Sequence, residues 1–269
     1  MPELPEVETI RRQLAPRLVG QRLSGGWAFE SAKFTDARSI TSATVTEVGR
    51  RGKYLVVDLD DDRQLIVHLG MTGSLRITPV VEPDSVPYLR ARWELPADQT
   101  LEFRDTRRFG RIAVVRSGDY QRIATLAAMG PEPEDPRLDA GGLWRSLRTS
   151  RRHVKTSLLG QRHIAGVGNI YADEALWIAQ VHPASRQITR RQADLLLDAI
   201  RVVLAEGIAN GGTTLRDYVD ADGSSGTNQL TLRCYGLAGT PCHRCGTTLV
   251  SRVIDARTST LCPTCQRPR

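Results

Sequence analysis

Met129-Gly130-Pro131-Glu132-Pro133-Glu134-Asp135-Pro136 divides the chain. Its three prolines fix φ and remove backbone donors, so neither a helix nor a strand continues through it, and the patterning changes across it. On its N-terminal side, from about Ala43 to Val115, apolar and polar residues alternate in short β-rich runs. Examples are Lys53 to Leu59, Gln64 to His68 and Arg111 to Val115. Several such strands predict a β-sandwich. Ahead of them Val7, Ile10, Leu14 and Leu18 recur at helical spacing, with Glu3, Glu6 and Glu8 in the first turn, the favourable end of the helix dipole. On the C-terminal side, helical patterns run over 141–149, 153–160 and 169–179, then from Thr189 to about Asn210. In that last helix Leu195, Leu196, Ala199, Ile200, Val203 and Leu204 are expected to face a core, and Gly211-Gly212 ends it. Short strands return after residue 230 around a set of cysteines. The class is α+β, divided as a β-sandwich domain (1–128), a linker (129–136), a helical domain (137–229) and a cysteine-bearing hairpin (230–269).

The chain has 269 residues, enough for one large or two ordinary domains, with a formal charge of +7 and a pI of about 9.5. Such a surplus points to a polyanionic partner. Arginine carries nearly all of it, since the only lysines are Lys33, Lys53 and Lys155. No apolar run approaches the ~20 residues of a membrane span, and the opening Met1-Pro2-Glu3-Leu4-Pro5-Glu6 lacks a signal-peptide profile. The expectation is a cytosolic monomer.

Cys242 and Cys245, then Cys262 and Cys265, have the spacing of a closed four-thiolate zinc site, with two disulfides as the alternative. A closed site leaves no open coordination position, so one structural Zn2+ would hold a hairpin rather than perform chemistry. Cys234 reads as a strand residue outside the ligand set. Arg252 and Arg257, between the pairs, are placed to project from that hairpin, and Arg257 is a candidate to meet a phosphate or a groove. Upstream, Gly166-Val167-Gly168-Asn169-Ile170-Tyr171 delivers a helix N-terminus, which suits a phosphate. Asn169, Tyr171 and Lys155 are the side chains that would complete such a clamp.

Removal of an initiator methionine before proline leaves Pro2 with a free secondary amine. A chain-terminal amine has a pKa of about 7.7–8.0, so part of it is a nucleophile at neutral pH, able to form an iminium with an aldehyde-level sugar carbon. Glu3 and Glu6 lie within one turn for proton transfer. Taken alone, the same residues also read as nothing more than a capped helix start.

These motifs occur in one order: Pro2 to Thr9, Arg51-Gly52-Lys53-Tyr54-Leu55, His68-Leu69-Gly70-Met71-Thr72-Gly73-Ser74-Leu75-Arg76, Asp105-Thr106-Arg107-Arg108-Phe109-Gly110, the glycine turn and the cysteines. In this the chain resembles bacterial formamidopyrimidine-DNA glycosylase over essentially its whole length. The resemblance implies a β-sandwich with flanking helices, a helix-two-turns-helix domain and a zinc hairpin, with DNA in the cleft between them. It implies a base-excision-repair glycosylase and AP lyase acting at the bacterial nucleoid. Pro2 is then the nucleophile and Glu3 its acid/base partner, with Glu6 in support and Lys53 as a cation on a strand near the lesion phosphate. His68, Asn169, Tyr171 and Arg257 would bind flanking phosphates, with Arg108 a further candidate. Met71, Arg107 and Phe109 would fill the gap left by a flipped base.

Leu4 places the opening with the purine-lesion branch, which implies 8-oxoguanine and formamidopyrimidines opposite cytosine. Endonuclease VIII-like action on oxidised pyrimidines is the nearest alternative, and a non-catalytic DNA-binding zinc protein is the other. Two departures from the family pattern stand out. Asn228 occupies a place in the loop over the flipped base where an aromatic is common, and Thr260-Leu261 before Cys262 is less aromatic than usual.

Overall fold

Helix α1 (Leu4–Leu18) starts one residue before the second proline of the opening. Pro5 sits in the first turn, where a missing N–H goes unused, and the Glu6 carboxylate accepts the backbone N–H of the N-cap residue Glu3 at 2.7 Å. The stripe Val7, Ile10, Leu14 and Leu18 is buried as its period predicts. Glu8 meets three guanidiniums, Arg11 and Arg12 at 2.8 Å and Arg50 at 3.1 Å. Burial pushes its carboxyl up, but the three cations outweigh that and hold it at about 2.

Arg50 lies on a strand, so this cluster fastens helix to sheet. The computed structural model, which describes residues 1–268, has eight antiparallel strands after α1. They are β1 (Arg22–Ala28), β2 (Ser42–Arg51), β3 (Tyr54–Leu59), β4 (Arg63–His68), β5 (Gly73–Pro79), β6 (Leu89–Leu95), β7 (Gln99–Asp105) and β8 (Arg111–Arg116). Their order is β5-β7-β6-β1-β2-β3-β4-β8. The two halves meet at β2, whose Ser42–Thr44 end pairs with β1 while the rest pairs with β3. Trp93, Phe103 and Leu75 of one half share a core with Leu55, Val67 and Ile112 of the other and with the apolar face of α1. Two details differ from the sequence reading. Strand β1 precedes the expected β region, because Gly25 and Gly26 dilute its β signal and only its neighbours specify it. Lys53 is not on a strand: Arg51 pairs with Tyr54, which leaves Gly52-Lys53 as the turn between β2 and β3.

The helices are α2 (Ala124–Ala127), α3 (Ala140–Arg148), α4 (Val154–Leu159), α5 (Asn169–Ile178) and α6 (Arg190–Ala209). Leu195, expected in the core of α6, is 46% exposed, and the buried stripe is Ala193, Leu196, Leu197, Ile200, Val203 and Leu204. Strands β9 (Val250–Ile254) and β10 (Arg257–Leu261) form a hairpin. Its tip is Asp255-Ala256, both at positive φ, as a two-residue turn requires.

The chain divides into two compact units, one of residues 1–127 with 208–229, the other of 128–207 with the chain from Leu230 onward. The break after residue 229 falls where the sequence places it, while residues 208–229, expected with the helical domain, group with the sheet. Residues 208–229 pack with the sheet because α1 holds them: Thr213 N–H donates to Glu6 Oε1 at 2.7 Å, the Tyr218 hydroxyl to the Glu6 carbonyl at 3.4 Å, and Gln13 Nε2 to Asp220 at 2.8 Å. Gly212 makes that approach possible. Its φ is +87°, and a Cβ there would lie 2.9 Å from Glu6 Cγ. Gly212→Ala should therefore cost on the order of 2 kcal/mol in urea unfolding, from left-handed strain and displacement of Glu6 together.

Candidate active site and nucleic-acid interface

At the start of α1, Pro2 is buried, Glu3 is 2% exposed and Glu6 is 1% exposed. Glu6 was expected to support proton transfer. Its two oxygens instead accept backbone N–H groups, Oε2 from Glu3 and Oε1 from Thr213, both at 2.7 Å. That makes Glu6 a brace between the N-terminus and a segment 207 residues downstream. Asn228 extends the brace. Its Nδ2 donates to Thr213 Oγ1 at 2.8 Å, its N–H to the Gly212 carbonyl at 3.1 Å, and its Oδ1 accepts from Asn210 at 3.1 Å. At 3% exposed, Asn228 is a buried tie within 208–229.

In the same unit Lys53, 7% exposed, lies at the end of β3 where Tyr54 pairs with His68 of β4, their rings 4.7 Å apart. Burial above all, then the Lys53 ammonium and the Arg111 guanidinium, hold the His68 imidazole down at about 4. At neutral pH His68 is an uncharged ring, which meets a phosphate as an N–H donor.

Beyond His68, two loops close on each other. Gly70 has φ +68°, and a Cβ on it would lie 2.4 Å from the backbone nitrogen of Gly110. Asp105, fully buried, holds this meeting point. Its carboxylate accepts the N–H groups of Gly110 at 2.7 Å and Arg107 at 3.2 Å, and the Thr72 hydroxyl. Met71 and Phe109 consequently project, 37% and 49% exposed, with the Arg107 guanidinium 4.7 Å over the Phe109 ring. Arg108 is exposed at φ +57°, its carbonyl held by Lys33 Nζ at 2.7 Å. The sequence reading named the projecting side chains and missed Asp105 and Thr72, because a buried carboxylate serving backbone groups has no periodic or spacing signature.

The second unit corrects two expectations. Lys155 is 1% exposed; its ammonium pairs with Asp173 at 2.6 Å and donates to Thr258 O at 3.1 Å and Ser259 Oγ at 2.8 Å. It is committed to the hairpin and presents no charge to a phosphate. Tyr171 is likewise buried, with its hydroxyl packed against Gly207 of α6. Burial pushes the Asp173 carboxyl up, to about 6, against the pull of Lys155. The neighbouring Glu174 accepts three successive N–H groups, from Arg233, Cys234 and Tyr235, at 2.7 to 2.9 Å. Trp177, one turn on, packs against Cys234, Cys242 and Cys262. One face of α5 thus carries the cysteine-bearing tail. Asn169 at its first turn donates to Thr258 O at 3.3 Å, next to exposed Arg257. The expected pair Asn169 and Arg257 is brought together.

Four cysteines converge. The Sγ atoms of Cys242, Cys245, Cys262 and Cys265 all lie within 4.8 Å of one another, with those of Cys245 and Cys262 3.5 Å apart. That is too long for a disulfide and matches the ~3.8 Å edges of a tetrahedron with Zn–S near 2.3 Å. The donor set fits one structural zinc. Cys234 stands outside it and outside any strand; its thiol is fully buried, donates to Thr260 O at 3.0 Å and is pushed up by burial.

Two outcomes test this geometry. Lys155→Met should cost about 3–5 kcal/mol in denaturant melts, since it leaves Asp173 buried and unpaired. For His68 the folded value near 4 lies below the unfolded ~6.5, so its contribution is complete above pH 6.5 and is lost as pH falls toward 4. Stability should drop by about 2–3 kcal/mol over that window, and His68→Asn should flatten that part of the profile.

Three family models match the chain: the formamidopyrimidine-DNA glycosylase N-terminal domain over residues 1–112, its H2TH domain over 129–219, and a zinc finger found in FPG and IleRS over 239–268. Among curated relatives, the formamidopyrimidine-DNA glycosylase of Thermomicrobium roseum is 44% identical with 99% of each chain covered. That of Deinococcus radiodurans is 40% identical, covering 99% of this chain and 97% of its own. Among solved structures, the Fpg protein of Thermus thermophilus superposes with a TM-score of 0.92 at 43% identity over 100% of both chains. Lactococcus lactis Fpg in complex with abasic-site DNA gives 0.89 at 34% identity, covering 98% of this chain and 99% of that one. The chain belongs to the formamidopyrimidine-DNA glycosylase family.

Proposed function

We propose that this chain excises 8-oxoguanine and formamidopyrimidines from duplex DNA and then cleaves the strand, with Pro2 as nucleophile. The observation that carries this is the buried Pro2-Glu3 pair, held at the head of α1 by the two N–H bonds of Glu6. Removal of Met1 frees the secondary amine. Its lone pair attacks C1′ of the damaged nucleotide while the glycosidic bond breaks, and the base leaves with the bonding electrons and takes up a proton. The nitrogen gives up its proton, Glu3 protonates the ring oxygen as the C1′–O bond breaks and the sugar opens, and the nitrogen lone pair so freed completes a C1′ iminium. Loss of a C2′ proton then expels the 3′ phosphate, and a second elimination expels the 5′ phosphate. Water hydrolyses the iminium and returns Pro2 as the amine.

The remaining residues position the substrate. Lys53 and neutral His68 take phosphates beside the lesion, and Arg108 is a further phosphate contact. Met71 and Phe109 wedge into the space of the flipped nucleotide, and Arg107, already stacked on Phe109, donates to the orphaned cytosine. Asn169 and Arg257 take backbone phosphates from the second unit. Zinc, when bound, supplies no reacting group and keeps the hairpin bearing Arg257 closed. The enzyme works as a monomer on cytoplasmic, nucleoid DNA. The joint presence of Pro2, Glu3 and Lys53 favours catalysis over simple binding, and Leu4 favours purine lesions.

Borohydride added during reaction with an 8-oxoguanine:cytosine duplex should trap a covalent complex that maps to Pro2, with weaker trapping on a thymine-glycol duplex. Pro2→Gly should lose trapping and cleavage by orders of magnitude while binding the duplex nearly as well. Undiminished turnover in that variant would overturn the mechanism.

A further inference from the structure

Trp177 lies in the last turn of α5, in a buried cluster with Cys234, Cys242 and Cys262. The Arg244 guanidinium sits 4.4 Å over its ring and donates to the Trp177 and Ile178 carbonyls at 3.0 and 3.2 Å, which caps the helix and holds the ring still. The indole N–H inside this packing is out of the ordinary. A buried indole normally finds an acceptor, and Trp93 and Trp144 do so at the carbonyls of Ala37 and Ile188, at 3.1 and 3.0 Å. Trp177 Nε1 is buried and forms no hydrogen bond.

What this N–H faces is sulfur. The backbone N–H groups of Arg244 and Cys245 are directed at the Cys242 sulfur, and the Trp177 indole is turned toward the same atom, short of a formed bond. A neutral thiol is a weak acceptor, whereas a thiolate is a charged one, so the pairing waits on the state of the cysteine. Four thiolates outnumber the charges of one divalent ion and leave a net negative charge on the sulfurs. N–H donors aimed at those sulfurs spread that charge and fix the ligands in place. An indole can only donate, and its position beside Cys242 gives the orphaned N–H an acceptor once the thiolate forms.

We infer that Trp177 is a metal-retaining residue: when the four cysteines hold their ion, its indole N–H donates to the Cys242 thiolate and slows release of the metal. The inference rests on the zinc reading of the cysteines and is independent of the glycosylase chemistry. It also gives α5 two tasks, since the helix carries the proposed phosphate contact Asn169 at one end and this donor at the other.

The test reads the bond directly. The full chain is loaded with NMR-active cadmium in place of zinc, and scalar couplings between the metal and N–H protons are recorded. The amide protons of Arg244 and Cys245 should show such couplings through the Cys242 sulfur, and the Trp177 indole proton should show one as well. Zinc transfer to a chromogenic chelator is then followed in the wild type, Trp177→Phe and Trp144→Phe. The first variant keeps an aromatic ring and loses the donor; the second loses an indole N–H bond in the same unit, outside the cysteine cluster. Release should be about tenfold faster in Trp177→Phe and unchanged in Trp144→Phe. An uncoupled indole proton beside coupled amides would overturn the inference and leave the cysteine site standing, whereas couplings at none of the three would overturn both. Equal release from the two variants would likewise overturn it.

Discussion

The carboxylate of Glu6 is the constraint on which the reactive end depends. It is almost wholly buried and spends both oxygens on backbone N–H groups, one from Glu3 beside it and one from Thr213 far along the chain. An N-terminus normally frays, because few bonds hold it and its ordering entropy is large. Here the first helical turn is pinned from outside the helix. Gly212 lets the downstream segment approach, and Asn228 stops that segment from moving away. Main-chain bonds from Glu3 and Thr213 thus fix the head of α1, the end that carries the proposed nucleophile Pro2.

The second unit repeats the solution with different residues. Asp173 and Glu174 accept N–H groups from both ends of the cysteine-bearing tail, Thr260 for the first and Arg233 to Tyr235 for the second. Zinc closes the tail upon itself, but α5 decides where it sits. The hairpin tip is fastened separately, since the Asp255 carboxylate meets His153 at 2.9 Å and the Thr156 hydroxyl. Arg257 follows that tip directly and inherits its position.

What was legible in the sequence follows from this division of labour. Side chains that project, such as Met71, Arg107, Phe109 and Arg257, sit in dense local motifs, and the structure exposes each of them. The zinc cysteines carry their geometry in their spacing. The helices were readable to within a residue or two, because a stripe at helical period reports burial directly. The braces were not readable. Asp105, Asp173 and Glu174 serve backbone groups whose donors are set by tertiary approach, and nothing local marks a carboxylate for that task. Lys155 misled for the same reason: beside a glycine turn it reads as a phosphate ligand, and only the fold reveals Asp173 beneath it. The grouping of residues 208–229 was not readable either, since they follow α6 in sequence but are held by Glu6 and Gln13.

The choice of backbone N–H groups as partners for buried acids also governs the charge of the surface. Had Glu6, Asp105 and Glu174 been neutralised by arginines, three guanidiniums would be locked inside and the excess of +7 would be harder to bring to bear on a polyanion. A carboxylate that accepts two or three N–H bonds is stabilised without a counter-ion. The arginines then remain outside, where their field acts at range and is tuned by salt. Glu8 with its three arginines and Asp173 with Lys155 are exceptions, and Lys155 serves where a single amine must satisfy an acid, a carbonyl and a hydroxyl at once. Three rotatable N–H donors on one point charge meet that demand better than a planar guanidinium, which accounts for a lysine at this place in an arginine-rich chain.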